Sequence, residues 1–160
     1  MRKKDKISKE IVTAAIVGNI ETIKANVEES NVNNLDKDGR TLLHHSIISG
    51  HLSIVEYLIS CKADLNIHDS LGWVPLHYAA QQYQVDIVKF LIKSGADVNA
   101  VDNYGNNVLW RAVFESKGRG EVIKILLENG GDLNMENNKR ISPLQLVKTI
   151  ANYDINQYLK

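Results

Sequence analysis

One cysteine, Cys61, stands in 160 residues. A lone thiol closes no internal disulfide, so the fold must rest on packing, and the count fits a reducing compartment. An excess of one charge is missing too. Nineteen basic and nineteen acidic residues cancel to a formal net charge of zero, with a sequence pI of about 7.0. A general binder of polyanions carries a basic excess, so nucleic acid is not an expected partner. No run approaches the roughly 20 apolar residues that a membrane helix needs. The basic opening, MRKKDK, is not followed by an apolar stretch and does not read as a signal peptide. These absences lead to the expectation of a cytoplasmic protein. Aromatics are only 6% of the chain, which makes their positions informative. The hydrophobic content of 44% is ordinary, and the length suits one domain with a real core.

A periodicity organises the chain. Gly39, Gly72 and Gly105 recur every 33 residues. On that register residues 35–67 and 68–100 align, and 101–135 align with two extra residues. The segment IVTAAIVGNIETIKANVEESNVNN fits a unit lacking its first turn, and ENNKRISPLQLVKTIANYDINQYLK fits a final, shortened one. Each unit opens with a glycine-bearing turn led by Asp36, Asp69 or Asp102, whose side chains can fold back on the backbone. A short helix follows, with Thr41, Asn107 or Ser142 as its N-cap and Pro75 or Pro143 at its first position. A second helix carries apolar residues at helical spacing, as in Ile87, Val88, Phe90, Leu91 and Ile92. Gly95 or Gly130 ends it. One such unit cannot bury its own apolar face, so neighbours must stack.

The pattern D-x-x-G-x-T-P-L-H-x-A-A, then Ile-Val, Leu-Leu and G-A-D-x-N, resembles the ankyrin repeat. Residues 69–100 carry it most fully, through Asp69, Gly72, Pro75, Leu76, His77, Ala79, Ala80, Ile87, Val88, Gly95, Ala96, Asp97 and Asn99. The resemblance implies an all-α solenoid of stacked antiparallel helix pairs, with β-hairpin-like loops projecting from one edge. The expected layout is a single domain over 1–160, with an N-terminal tail and capping repeat at 1–34. Full repeats then cover 35–67, 68–100 and 101–135, and a truncated C-terminal cap covers 136–160. Lys62 and Arg140 stand where the pattern has glycine. A non-glycine residue in left-handed backbone costs on the order of 1 kcal/mol, so these loops are expected to take another shape. Val74 replaces the capping Thr, and Trp110 replaces the motif His. The insertion lies in SKGRGE, Ser116 to Glu121, and reads as a positive, flexible bump.

Reactive groups are few. His44 and His45, with His51 beyond, invite a metal site, and Cys61 could serve as a nucleophile. The resemblance implies instead that His44 and His77 bond loop backbone and that His51 belongs to the turn between helices. His45 and His68 are then surface residues. No closed ligand set emerges. The expectation is a protein that is not an enzyme and takes no cofactor or metal. A metal or thiol enzyme using His44, His45 or Cys61 is the remote alternative.

Partner-binding positions follow from the resemblance, which leaves free the residues flanking the turn glycine and the outer face of the first helix. These are Arg40, His45 and Ile48; Leu71, Trp73, Tyr78, Gln81 and Gln82; and Tyr104, Asn106, Arg111, Phe114 and Glu115. Lys139, Arg140 and Ile141 extend the set into the cap. A merely structural surface should be polar here. Four aromatics, Trp73, Tyr78, Tyr104 and Phe114, are therefore expected to be exposed interface anchors. Trp73 and Tyr78 would stand at the centre. The expected partner is another protein, a bacterial toxin in one version, with no membrane or small-molecule substrate, and the chain alone is expected to be a monomer. The segment LWRAVFESKGRGEVIKILLENGGDLN resembles small stand-alone bacterial ankyrin proteins, some proposed to act as immunity proteins. An effector, or a scaffold or regulatory protein acting on host or cellular proteins, is the alternative.

Overall fold

Local side-chain chemistry sets where the first helix of each full repeat, and that of the cap, begins. Thr41 Oγ1 accepts the N–H of His44, and Asn107 Oδ1 accepts that of Trp110. Ser142 and Gln145 cap reciprocally: Ser142 Oγ accepts the Gln145 N–H, and Gln145 Oε1 accepts the Ser142 N–H. Pro75 and Pro143 open their helices, where a missing N–H costs nothing. The computed structural model describes residues 7–149. The basic stretch at 1–6 and residues 150–160 of the expected C-terminal cap lie outside the described residues.

Among the described residues there are nine helices and no strand. They are α1 (Lys9–Val17), α2 (Ile20–Asn26), α3 (Leu42–Ile48), α4 (Leu52–Ser60), α5 (Pro75–Gln81), α6 (Val85–Lys93), α7 (Val108–Phe114), α8 (Glu121–Glu128) and α9 (Pro143–Thr149). Neighbouring odd-numbered helices pack in one row and neighbouring even-numbered helices in another, so the chain forms an all-α solenoid of helix pairs. Among the described residues no helix is long and apolar enough to cross a membrane.

The core follows the register. Leu43, Leu76 and Leu109 are fully buried, as are Leu58, Leu91 and Leu126. Burying each such side chain stabilises by about 1.5–3 kcal/mol relative to leaving it exposed. The contacts run unbroken from Ala14 to Val147 as one core. An asparagine ladder ties the loops that follow the second helices. Asn33, Asn66 and Asn99 each accept, through Oδ1, the N–H of the aspartate in the next unit: Asp64, Asp97 and Asp132. The final Asn of G-A-D-x-N is thus an inter-repeat fastener.

The turns correct one expectation. Lys62 and Arg140 do not change the loop shape; both stay left-handed, at φ 64° and 59°. The reason is room. A Cβ on Gly72 would come within 2.6 Å of the Asn103 backbone nitrogen in the next turn. Arg140 lies in the last described turn, with no further turn stacked on it among the described residues. At Gly95, which occupies the register position of Lys62, a Cβ would meet nothing within 4 Å. The side chain therefore fits at both exceptions, and only the backbone strain is left.

Candidate partner-binding face

Each of the first three turns is wired by its aspartate. One carboxylate oxygen accepts two N–H groups within the turn: Asp36 from Asp38 and Arg40, Asp69 from Leu71 and Trp73, Asp102 from Tyr104 and Asn106. The other oxygen receives a side chain nine residues on, in the first helix. His45 reaches Asp36 at 2.8 Å, Tyr78 reaches Asp69 at 2.6 Å, and Arg111 reaches Asp102 at 2.6 Å. Arg40 crosses from the preceding turn to donate to Asp69 at 3.2 Å and to the Tyr78 hydroxyl at 2.8 Å. Burial alone would raise all three carboxyls, but these hydrogen bonds override it and hold each below its ordinary range. Burial and the bond to Asp69 push Tyr78 up to about 12.

This wiring corrects the expected surface. Trp73 and Tyr78 are not exposed anchors; they retain 7% and 6% exposure. The Trp73 ring lies 4.8 Å from Tyr78 and 5.8 Å from His77, with the Arg111 guanidinium 4.6 Å over it. Asn106 is also buried, its amide donating to the Asp102 carboxylate. Arg40, Arg111 and His45 are half-buried and committed to aspartates. His45 is therefore not the plain surface residue expected. At Asp69 and Asp102 the cause is the same: a buried carboxylate draws the nearest donor inward, and a flat aromatic covers the arginine.

The outward-facing remainder is smaller. Leu71, Tyr104 and Phe114 are 46%, 64% and 52% exposed. Gln82 is exposed, and Ile48, Gln81 and Glu115 are half-buried. Lys139, Arg140 and Ile141 are exposed in the last turn. Phe114 does not stand alone. It stacks on Trp110 at 5.3 Å and 14°, and Arg111 lies between the Trp73 and Trp110 rings. Arg40, Tyr78, Trp73, Arg111, Trp110 and Phe114 thus form one continuous series across three repeats, open to solvent at Phe114.

The histidines act as fasteners. His44 Nε2 donates to the Trp73 carbonyl at 3.2 Å, and His77 Nε2 donates to that of Asn106 at 3.3 Å. Their Nδ1 atoms accept the N–H of Thr41 and Val74, which fixes the tautomer. Burial lowers both to about 4, so they are neutral at pH 7. His51 donates to the Ile16 carbonyl. Trp110, at the same register position as His44 and His77, reproduces no such bond, and its Nε1 is buried without a hydrogen-bond partner. Among the described residues no three His, Cys, Asp or Glu side chains are grouped to hold a metal.

Sequence reasoning missed Tyr83. It takes the left-handed position at φ 56°, where the preceding repeat has Gly50. Its hydroxyl donates to the Ala112 and Arg119 carbonyls, and the Arg119 guanidinium lies 4.1 Å over its ring. Arg119 also donates to the Ser116 and Glu115 carbonyls. The expected loose bump is therefore tied down at its arginine. The only sequence signal was a tyrosine in place of glycine, one repeat before the insertion.

Comparison with known proteins gives the same periodicity a family. A family model described as ankyrin repeats (3 copies) matches residues 11–102 and 60–137. An ankyrin repeat protein of fowlpox virus is 26% identical over 123 residues, 77% of this chain and 16% of the relative. The human 26S proteasome non-ATPase regulatory subunit 10 is 38% identical over 67 residues, 41% of this chain and 30% of the relative. The mouse RelA-associated inhibitor is 34% identical over 66 residues, 41% of this chain and 8% of the relative. The matched segments thus span less than a third of each relative's own length. With helix pairs, turn aspartates and buried histidines all on one register, the chain belongs to the ankyrin repeat family, a family of protein-interaction modules that are generally non-catalytic.

Proposed function

We propose that the chain is a non-catalytic module that holds a folded protein partner against its first-helix face and turn tips. The observation that carries this is Phe114, an exposed aromatic held in place from behind by Trp110 and Arg111. An anchor already fixed in its bound orientation loses little entropy on binding. The charged groups behind it are committed within the protein, Arg111 to Asp102 and Arg40 to Asp69, which leaves this face suited to contact rather than to chemistry. A rigid face of this kind suits an inhibitor. The finer proposal is a cytoplasmic immunity or inhibitor protein that neutralises a cognate toxin, and the mouse relative named as an inhibitor is consistent with that role.

The test is affinity capture from the native organism with the wild-type chain and with Phe114→Ala. Circular dichroism would establish that both are folded. A partner retained by wild type and reduced more than about tenfold on the variant supports the proposal, as for an interface hot spot. Equal retention removes Phe114 from the interface. If the captured protein halts growth when expressed alone and growth returns on co-expression with this chain, the inhibitor role stands. If the captured protein is harmless, that role fails.

A further inference from the structure

The turn tips form a row of their own. Each tip bonds to the next through backbone: Ser70 N–H to the Asp38 carbonyl, Asn103 N–H to that of Leu71, and Asn138 N–H to that of Tyr104. Hairpin-like turns joined this way recur at about two strand spacings, roughly 10 Å. The tip residues in register are Asp38, Leu71, Tyr104 and Lys139, followed at the last tip by Arg140; Asp38 is half-buried and the others are exposed. Leu71 and Tyr104 are among the most exposed apolar side chains described.

Charge along this row is uneven. The first tip has Lys37 beside Asp38. The tips at 70–72, 103–105 and 138–140 have no carboxylate at all. The turn aspartates behind the second and third tips are buried and satisfied by Arg40, Tyr78 and Arg111. The fourth turn has Asn137 where the others have aspartate. Among the described residues, Lys139 and Arg140 have no ion pair. Two apolar tips therefore lead into one with two cations that form no ion pair among the described residues, with Glu136 the nearest carboxylate in sequence among them.

We propose that this row binds an extended acidic segment of a partner protein, with two apolar side chains on Leu71 and Tyr104 and a carboxylate on Lys139 and Arg140. An extended chain advances about 3.3 Å per residue, so contacts roughly 10 Å apart fall every third residue. The recognised pattern is apolar-x-x-apolar-x-x-acidic, in either chain direction. A second copy of this chain offers less, because antiparallel tip-to-tip pairing sets only the half-buried Asp38, beside Lys37, against Lys139 and Arg140. The proposal rests on the protein-binding reading above but uses different residues from its Phe114 test.

The experiment is selection from a random 12-residue peptide library on wild type, on Leu71→Ser/Tyr104→Ser and on Lys139→Glu/Arg140→Gln. All substituted side chains are exposed, and urea denaturation would verify that the variants fold. Wild type should enrich peptides with the stated spacing. A synthetic peptide of that sequence should bind each variant at least about tenfold more weakly, with the wild-type affinity falling as salt is raised. Enrichment of neutral or basic peptides, no enrichment, or equal binding to the variants overturns the proposal. So does dimerisation in sedimentation that the tip substitutions abolish, which would assign the row to a second copy. If capture depends on Phe114 while peptide selection fails, the protein-binding reading stands and this inference falls.

Discussion

The second and third repeats place their aromatics at different register positions and use them in opposite ways. In the second, Trp73 and Tyr78 are drawn beneath Arg40 and Arg111 and buried around Asp69. In the third, the counterpart of Trp73 is Asn106, the counterpart of Tyr78 is Arg111, and the aromatics move to Tyr104 and Phe114, where they face solvent. Freedom from the repeat motif thus does not mean freedom from structure. A variable position beside a buried carboxylate is recruited into the fold if its residue can donate to the carboxylate or cover it.

The sharpest way to break this comparison is to truncate one aromatic from each repeat. Trp73→Ala should cost about 3–5 kcal/mol, as for a buried aromatic. Phe114→Ala should cost less than about 1 kcal/mol, since only its stack on Trp110 is lost. Urea denaturation of the two variants measures both. Similar losses would mean that Phe114 belongs to the fold as much as Trp73 does.

The turn acids come next. Asp69→Ala strands Arg40 and the Tyr78 hydroxyl and should cost about 3 kcal/mol. Asn137→Ala also removes two turn hydrogen bonds, and the amide's bond to buried Asn106, but leaves no charge unpaired, and should cost about 1–2 kcal/mol. A ratio near one in thermal or urea melts would show that the charge network adds nothing beyond the turn itself.

The buried histidines make an acid-sensitive term shared by the first two full repeats and absent from the third, where Trp110 stands. Their folded pKa of about 4 lies below the ordinary 6.5. The unfolded chain therefore binds more protons between those values, and stability falls as pH drops below about 6.5 toward 4. From pH 7 to 5.5 the loss should be about 1 kcal/mol per histidine. The lowered aspartates act in the same direction at lower pH, where the unfolded carboxyls take up protons before the folded ones do. Urea titrations of wild type and His77→Asn at both pH values would check this. An equal pH dependence in the two proteins would remove His77 as its source.

Much of the fold was legible because its signals are periodic. Turn aspartates, capping residues and the Leu43, Leu76 and Leu109 positions repeat on one register, and each has a role that a single repeat reveals. The candidate face was less legible because its geometry joins different repeats. Nothing local to GWVPLHYAA shows that Arg40 and Arg111, from the turn before and the helix after, bracket Tyr78 and Trp73. Tyr83 was missed for the same reason: its partners, Ala112 and Arg119, lie about one repeat away.

The smallest effect expected concerns the last turn, and its sign is the informative part. Arg140 holds a left-handed backbone that glycine holds in the three preceding turns. Arg140→Gly should therefore stabilise the chain by up to about 1 kcal/mol, seen as a higher urea midpoint with an unchanged slope. The greater freedom of glycine in the unfolded chain opposes this gain and sets its upper limit. The same substitution removes one of the two cations at the end of the tip row and should weaken binding of the apolar-acidic peptide. A variant that gains stability and loses affinity would show that the strain at Arg140 is kept for recognition, whereas Gly72 answers to the next turn packed against it. If Arg140→Gly changes neither, the fourth turn differs from the others in sequence alone.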